Sequence, residues 1–276
     1  MNFKKPSSKM IHAIFIFAIF IGLMSLSRPW YEFILAYLAY FILFFLIFLP
    51  TSIGNMGYFI QILFHKQELA NKYYEKAIKM GTKSNYALTA YGLELLRGNQ
   101  PKKALPLFQR NLELKSTKPI FIKYTEMNLA TCYWKLGDID KSIEILEDMH
   151  EKYEVFNEDF YTTLGFMYFL NDDFDTSLEH TKQALKKNRE HGPAYDNMGQ
   201  IHYQMGDLDK AIKYFKKGLK YKSTMADSKY FLGLIYEEQG DYEQAAEYFK
   251  MAHESNINGL NTVTREEVDM KYNAYK

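Results

Sequence analysis

The hydrophobic and polar positions divide this chain into two unlike parts. Residues 10–27 contain no Asp, Glu, Lys or Arg, and a second apolar run, residues 30–49, contains one charged residue near its start, Glu32. As helices that rise about 1.5 Å per residue, both runs approach the roughly 30 Å hydrocarbon thickness of a bilayer. The connection through Arg28 and Pro29 is long enough only for a tight turn. The pattern predicts a transmembrane helical hairpin; two buried core helices of a soluble fold are the alternative.

Basic residues set the expected orientation of this hairpin. Lys4, Lys5 and Lys9 precede the first run, and positive charges next to a span favour the cytoplasmic side. Two spans then return the rest of the chain to the cytoplasm. A signal peptide ending near Ser25 or Ser27 is a competing interpretation, but it leaves the second run as a stop-transfer helix with its C-terminal side again cytoplasmic. We therefore predict a multi-pass protein of the cell membrane with a cytoplasmic soluble part.

The remainder of the chain is polar and repeats itself at a fixed period. Gly165, Gly199 and Gly233 are 34 residues apart, in the matching frames TLGFMY, NMGQIHY and FLGLIY. The frame recurs around Ala130 and, more loosely, around Gly92. Periods of 20–50 residues indicate stacked supersecondary units that share one continuous core.

These frames resemble the tetratricopeptide repeat, a helix-turn-helix unit of 34 residues. The resemblance covers about residues 85–257 and implies an all-α, right-handed solenoid of about five to six repeats. A short aspartate at the turn is expected to cap the second helix of several units. Upstream, Ala70, Tyr74 and Ala77 stand at the second-helix spacing. They indicate a degenerate first unit whose first helix is the apolar stretch 51–65, unless that stretch lies in the membrane interface.

The predicted organisation follows from these two patterns. It consists of a cytoplasmic tail (1–9), a transmembrane hairpin (10–49, spans 10–27 and 30–49), a juxtamembrane helix with the degenerate repeat (50–84), repeat units near 85–118, 123–156, 158–191, 192–225 and 226–257, and a C-terminal capping helix (258–276). A capping element is expected because the last unit of a solenoid otherwise exposes its apolar face.

Composition and motifs weigh against catalysis and cofactors. The 34 basic and 33 acidic residues leave a net charge of +1, which argues against a nucleic-acid partner. A single cysteine, Cys132, excludes a disulfide framework and a thiolate metal cluster. The seven histidines form no pair at metal-ligating helical spacing. We predict a protein that is not an enzyme and that holds no metal and no cofactor.

The resemblance assigns function to the concave groove that the first helices of such repeats form around a partner segment. The predicted groove positions are Tyr86, Leu93, Leu96, Tyr124, Met127, Trp134, Thr162, Phe166, Phe169, Asp196, Gln200, Tyr203, Tyr230, Leu234 and Glu237. Tyrosine and tryptophan are enriched among residues that dominate binding energy. The leading hypothesis is therefore a membrane-embedded scaffold that binds a protein or peptide partner.

Two further hypotheses belong to other classes. In the first, the hairpin itself contributes to a membrane transport or envelope-synthesis complex that the repeats regulate. In the second, the solenoid is a sensor that changes curvature when a small peptide binds.

Overall fold

The computed structural model describes residues 30–114, 119–154 and 156–276, so the tail and the first predicted span lie outside the described residues. Within these ranges the regular structure is entirely α-helical, as predicted. The helices are α1 (Trp30–Phe64), α2 (Gln67–Lys79), α3 (Asn85–Arg97), α4 (Pro101–Glu113), α5 (Pro119–Lys135), α6 (Ile139–Lys152), α7 (Glu158–Leu170), α8 (Phe174–Lys187), α9 (Gly192–Gln204), α10 (Leu208–Tyr221), α11 (Ala226–Glu238), α12 (Tyr242–His253) and α13 (Arg265–Ala274).

The long helix α1 joins two segments that the sequence pattern separates. Its 35 residues run through Pro50 without a break, although proline removes one helical hydrogen bond, and it ends where His65 takes a φ of 52°. Among the described residues, one helix is long and apolar enough to cross a membrane, the part of α1 from Leu46 to Phe64, with a mean hydropathy of 1.4. This segment begins inside the predicted second span and continues into the predicted juxtamembrane stretch. The described residues therefore contain one candidate span, and the other span of the predicted hairpin lies outside them.

Consecutive helices pack in pairs through a small residue facing a large one. A Cβ atom added to Gly199 would lie 2.5 Å from the ring of Phe215, and one added to Gly233 would lie 2.6 Å from the ring of Phe249. Such distances are far inside normal contact, so only glycine permits this approach of the two helices. In the same way, a Cβ atom on Gly57 of α1 would lie 2.9 Å from the Tyr74 ring of α2. The second half of α1 and α2 thus pack like the later pairs.

Aspartates cap the second helices at the turns, as expected. Each caps its helix by accepting a hydrogen bond from a backbone N–H three residues later; the capping residues are Asp138, Asp173, Asp207 and Asp241. The preceding turn residue has a positive φ, and in three of these turns it is glycine, which adopts this conformation without steric cost. In the turn before α8 the residue is Asp172, with a φ of 59°.

The C-terminal helix α13 packs on α12 and starts later than the predicted capping helix. Thr264 and Glu267 form a reciprocal capping box, so the helix begins at Arg265. Val268 is fully buried and packs with Ala252 and Val263. The residues between α12 and α13 do not belong to this cap, and they return to the inner face of the solenoid.

Candidate partner-binding groove

The first helices of successive units line one face of the solenoid. Helix α3 packs beside α5, α7 beside α9, and α9 beside α11. Side chains on the free side of this layer therefore share one surface, which we call the groove. It is the surface that the sequence assigns to a partner.

The centre of the groove is a pocket of about 270 Å³ built from several units. It brings together five predicted groove residues, Trp134, Thr162, Phe166, Asp196 and Gln200. The Trp134 and Phe166 rings meet edge to face, with centroids 5.1 Å apart, a favourable aromatic geometry. The pocket thus joins an aromatic wall from α5 and α7 to a polar wall from α9.

A second pocket of about 410 Å³ lies nearer the start of α5. It contains two further predicted residues, Tyr124 and Met127, together with Phe156 and Asn157. Half of the Tyr124 side chain is exposed. Amphipathic and flexible side chains of this kind adapt to a partner surface at little cost.

Other predicted groove residues are engaged inside the fold. Leu96 is fully buried in the core of α3–α5, and the ring of Tyr86 packs between Tyr58 of α1 and Phe121 of α5. Leu93 and Leu234 are half-buried, and Phe169 packs between Phe166 and Phe174. These side chains therefore contribute mainly to the packing of the helices that form the groove.

In the last unit, the predicted groove residues Tyr230 and Glu237 contact the C-terminal segment instead. Tyr230 packs in the cluster around Val263 and Val268. Glu237 forms an ion pair with Lys271 and accepts a hydrogen bond of 2.8 Å from the Tyr275 hydroxyl. The Tyr203 hydroxyl donates to Glu238 at 2.6 Å, so it links two neighbouring units.

The polar wall of the central pocket carries two neighbouring carboxyl groups, Asp196 and Asp227. Asp196 accepts hydrogen bonds from the Ser228 hydroxyl and, at 2.7 Å, from the Gln200 amide. Burial, and to a lesser extent the charge of Asp227, raises the pKa of Asp196. Burial lowers the pKa of Lys135, and Asp227 partly opposes this change. The pocket therefore places an acidic pair near a desolvated lysine.

A segment of the chain itself lies in the groove. We call residues 257–263, between α12 and α13, the strap. Its Leu260 and Thr262 line the central pocket, and Leu260 packs against the apolar core of α3–α5. The N–H of Gly259 donates to the carbonyl of Arg97 at 2.6 Å. The strap therefore occupies part of the surface on which the predicted groove residues lie.

Comparison with known proteins identifies the repeats. Residues 197–256 and residues 127–148 each match a tetratricopeptide-repeat family. The chain contains tetratricopeptide repeats. No curated protein matches the sequence.

Several solved structures have a similar fold. The tetratricopeptide-repeat protein TTC0263 of Thermus thermophilus shares 19% identity at a TM-score of 0.56, over 70% of this chain and 98% of its own. The type IV pilus biogenesis factor PilW shares 17% identity at a TM-score of 0.57, over 72% and 90%. The Cut9–Hcn1 hetero-tetramer of the APC/C shares 15% identity at a TM-score of 0.62, over 82% of this chain and 42% of that chain. At these identities the likeness shows the fold alone.

Sequence reasoning missed the main polar residue of the groove, Asp227, and the strap. The predicted groove residues are chosen by their position within a tetratricopeptide unit, and Asp196 is the fifth residue of its unit. The second position also faces the groove in this counting, and Asp227 is the second residue of the unit near 226–257. Its position within the repeat unit was therefore sufficient to predict Asp227 as a groove residue. The strap has no repeat period, so the repeat pattern contains no signal for it.

Proposed function

We propose that this protein is a membrane-anchored, non-catalytic scaffold whose tetratricopeptide repeats bind a peptide segment of a protein partner in the groove. The observation that carries the proposal is the convergence of Trp134, Thr162, Phe166, Asp196 and Gln200 on one pocket. Binding pockets combine an apolar wall with a few convergent polar groups, and this pocket has both. A pocket built from successive units suits an extended segment that runs along the groove.

The anchor is proposed to be α1. One side of its second half packs on the solenoid through Gly57 and Ile60, whereas Ile47, Leu63 and Phe64 are each more than half exposed. An apolar surface of this kind is favourable in a bilayer and unfavourable in water. We propose that the apolar run 10–27 forms a second span and that the repeats lie in the cytoplasm.

Capture of the partner tests the groove. A photo-reactive residue at Thr163, which lines the pocket, is expected to crosslink the partner in intact membranes. Truncation of an aromatic hot-spot residue costs about 2 kcal/mol or more, roughly thirtyfold in affinity, so Trp134→Ala and Phe166→Ala should reduce capture by about that factor. The matched control is Tyr242→Ala, because this exposed tyrosine lies on α12, outside the first-helix layer that forms the groove. Undiminished capture by both pocket variants would refute the groove assignment.

Protease access tests the anchor and the topology. Protease added to the cytoplasmic face of sealed vesicles should digest the repeats, while protease added to intact cells should not. The protein should also stay in the membrane after alkaline extraction. Digestion from outside intact cells contradicts the proposed orientation, and release by alkali contradicts the anchor.

A regulatory subunit of a transport or envelope-synthesis complex is the second candidate function. The observation that favours it is the continuity of α1 from Trp30 to Phe64, because a rigid helix couples the apolar segment directly to the first packed pair. Replacing residues 10–46 with an unrelated transmembrane hairpin separates the two functions. A scaffold keeps partner capture and cellular activity, whereas a working membrane subunit loses activity and keeps capture.

A further inference from the structure

The strap binds the groove mainly through its backbone. The ammonium group of Lys135 donates to the carbonyl of Asn261 at 2.9 Å. The carboxylate of Asp227 accepts from the N–H groups of Thr262 and Val263, at 2.8 and 2.9 Å. One cation thus holds a peptide carbonyl, and one anion holds the two N–H groups that follow it. Hydrogen bonds with one charged partner are about twice as strong as neutral ones.

Two side chains of the strap add sequence selectivity to these backbone contacts. The Asn261 amide and the Thr262 hydroxyl both donate to Asp227, each at 2.5 Å. Leu260 fills apolar space beside the core of α3–α5. The groove therefore favours a leucine followed by two small polar residues that donate hydrogen bonds.

Gly259 marks a position where the groove excludes any side chain. A Cβ atom added there would overlap the carbonyl oxygen of Leu96 and would lie 2.7 Å from the backbone nitrogen of Asn99. Both are backbone atoms, one in the last turn of α3 and one in the connection to α4, so neither is able to move aside as a flexible side chain does. Only glycine brings the strap close enough for its N–H to reach the carbonyl of Arg97.

The strap also has its own turn chemistry, which presents it in this form. The Asn258 side chain accepts from the N–H of Leu260, and the Asn261 side chain accepts from the N–H of Asn258, both at 2.9 Å. Asparagine side chains stabilise turns by such local bonds. The segment is thus shaped as a compact ligand between two helices.

We propose that the strap is a resident ligand of the groove, and that the partner is a peptide segment with the pattern glycine, leucine and two small polar residues, which binds by displacing it. This proposal rests on the proposed function and specifies its ligand. The strap and the partner segment use the same contacts to Arg97, Lys135 and Asp227, so only one of them binds at a time. The apparent affinity for the partner is then the intrinsic affinity multiplied by the fraction of molecules in which the strap is open.

A labelled peptide tests the proposal on the full-length chain in detergent micelles. The probe is a fluorescent nonapeptide with the sequence of residues 256–264. Tethered competitors act at an effective concentration in the millimolar range, so the wild-type chain should bind the probe weakly. Gly259→Ala excludes the strap and leaves every groove residue unchanged. This variant should bind the probe at least about tenfold more tightly than wild type in fluorescence anisotropy.

Two matched controls isolate the cause. Gly98→Ala changes a glycine of the same turn whose added Cβ atom meets only ordinary or flexible neighbours, with the Gln100 side-chain nitrogen at 3.3 Å, and it should bind like wild type. A probe with alanine in place of the residue equivalent to Gly259 should bind the open chain at least about tenfold more weakly than the original probe. If Gly259→Ala reduces the helical circular dichroism, the double variant Asn261→Ala/Thr262→Ala provides a second test, because it removes two hydrogen bonds from the strap to Asp227 without a backbone clash. It should bind the probe more tightly than wild type.

Equal binding by the wild-type and opened chains, or binding by neither, overturns the proposal. The result is distinguishable from failure of the proposed function. If the strap variants leave probe binding unchanged while Trp134→Ala and Phe166→Ala abolish partner capture, the scaffold function stands and the resident ligand is wrong. If capture is insensitive to the pocket variants, the scaffold function itself is wrong.

Discussion

The close approach of α9 and α10 at Gly199 offers the sharpest test of the packing. A Cβ atom at this position would lie 2.5 Å from two ring carbons of Phe215, whereas nonbonded carbon atoms normally stay about 3.5–4.0 Å apart. Phe215 is fully buried, and its ring stacks nearly parallel to Phe231 at 5.7 Å. The ring is therefore enclosed within the packed core. Gly199→Ala should therefore force the two helices apart.

The expected magnitude is the difference of two opposing effects. Overpacking a well-packed core costs about 1–3 kcal/mol, and the severe overlap places this case near the upper end. Alanine gains about 1 kcal/mol over glycine as a helix former. The free energy of unfolding should fall by about 2 kcal/mol. Phe215→Leu alone should cost about 1.5 kcal/mol because it removes part of a buried ring.

A double-mutant cycle measures the overlap itself. In Gly199→Ala/Phe215→Leu the smaller side chain makes room for the new methyl group, so the double variant should be about 2 kcal/mol more stable than the sum of the single effects predicts. Urea denaturation followed by far-ultraviolet circular dichroism supplies the three differences. If the single effects add to within about 0.5 kcal/mol, the two side chains do not compete for the same space and the argument fails.

Three further predictions concern buried polar and titratable groups. Asn111→Ala should lower the free energy of unfolding in urea by about 1–3 kcal/mol, because the Asn111 amide donates to the buried Thr125 hydroxyl at 2.8 Å; an unchanged midpoint would contradict this role. Burial raises the pKa of Cys132 to about 11, so a thiol reagent at about pH 8 should label it only after unfolding; rapid labelling of the native chain would disprove that environment. Burial lowers the pKa of His180 and of His202. At a pH near the ordinary pKa of histidine, the unfolded chain therefore binds more protons than the folded chain. The free energy of unfolding should therefore be highest above about pH 6.5 and should fall as the pH drops below this value. Urea midpoints that stay constant from about pH 7.5 to about pH 5.5 would exclude this effect.

Features that depend on neighbours in sequence could be predicted. The glycine–phenylalanine pairs recur because Gly199 and Phe215, like Gly233 and Phe249, stand sixteen positions apart within one helix-turn-helix unit. The capping aspartates follow from local turn geometry, as at Asp207. Each unit folds by the same short-range rules, so one period describes all of them.

Features that depend on distant parts of the chain could be predicted only in part. Counting positions within a unit finds residues on the inner side of the first helix, and Trp134 and Phe166 do meet there. The same counting cannot show which positions a later element covers. Tyr230 and Glu237 satisfy the counting, yet they pack against the C-terminal segment that follows the last unit.

The strap shows why the groove differs from its sequence pattern. Lys135 and Asn261, which meet in the groove, are 126 residues apart, and no period relates them. The sequence Asn-Gly-Leu-Asn looks like an ordinary turn, because asparagine and glycine favour turns wherever they occur. Its value as a ligand arises only when the solenoid brings the α3–α4 turn and Asp227 to the same surface.

The bonds that fill the groove also constrain the solenoid. Gly259 is bonded to the end of α3 in one of the first units, and Thr262 is bonded to the start of α11 in the last. The strap therefore bridges two units that are far apart in the sequence. An occupant that replaces it must supply the same bonds across the groove, or the units become free to move apart. Because α1 packs directly on α2 and α3, we expect such a movement to displace the later units relative to the apolar helix, which we propose as the membrane anchor.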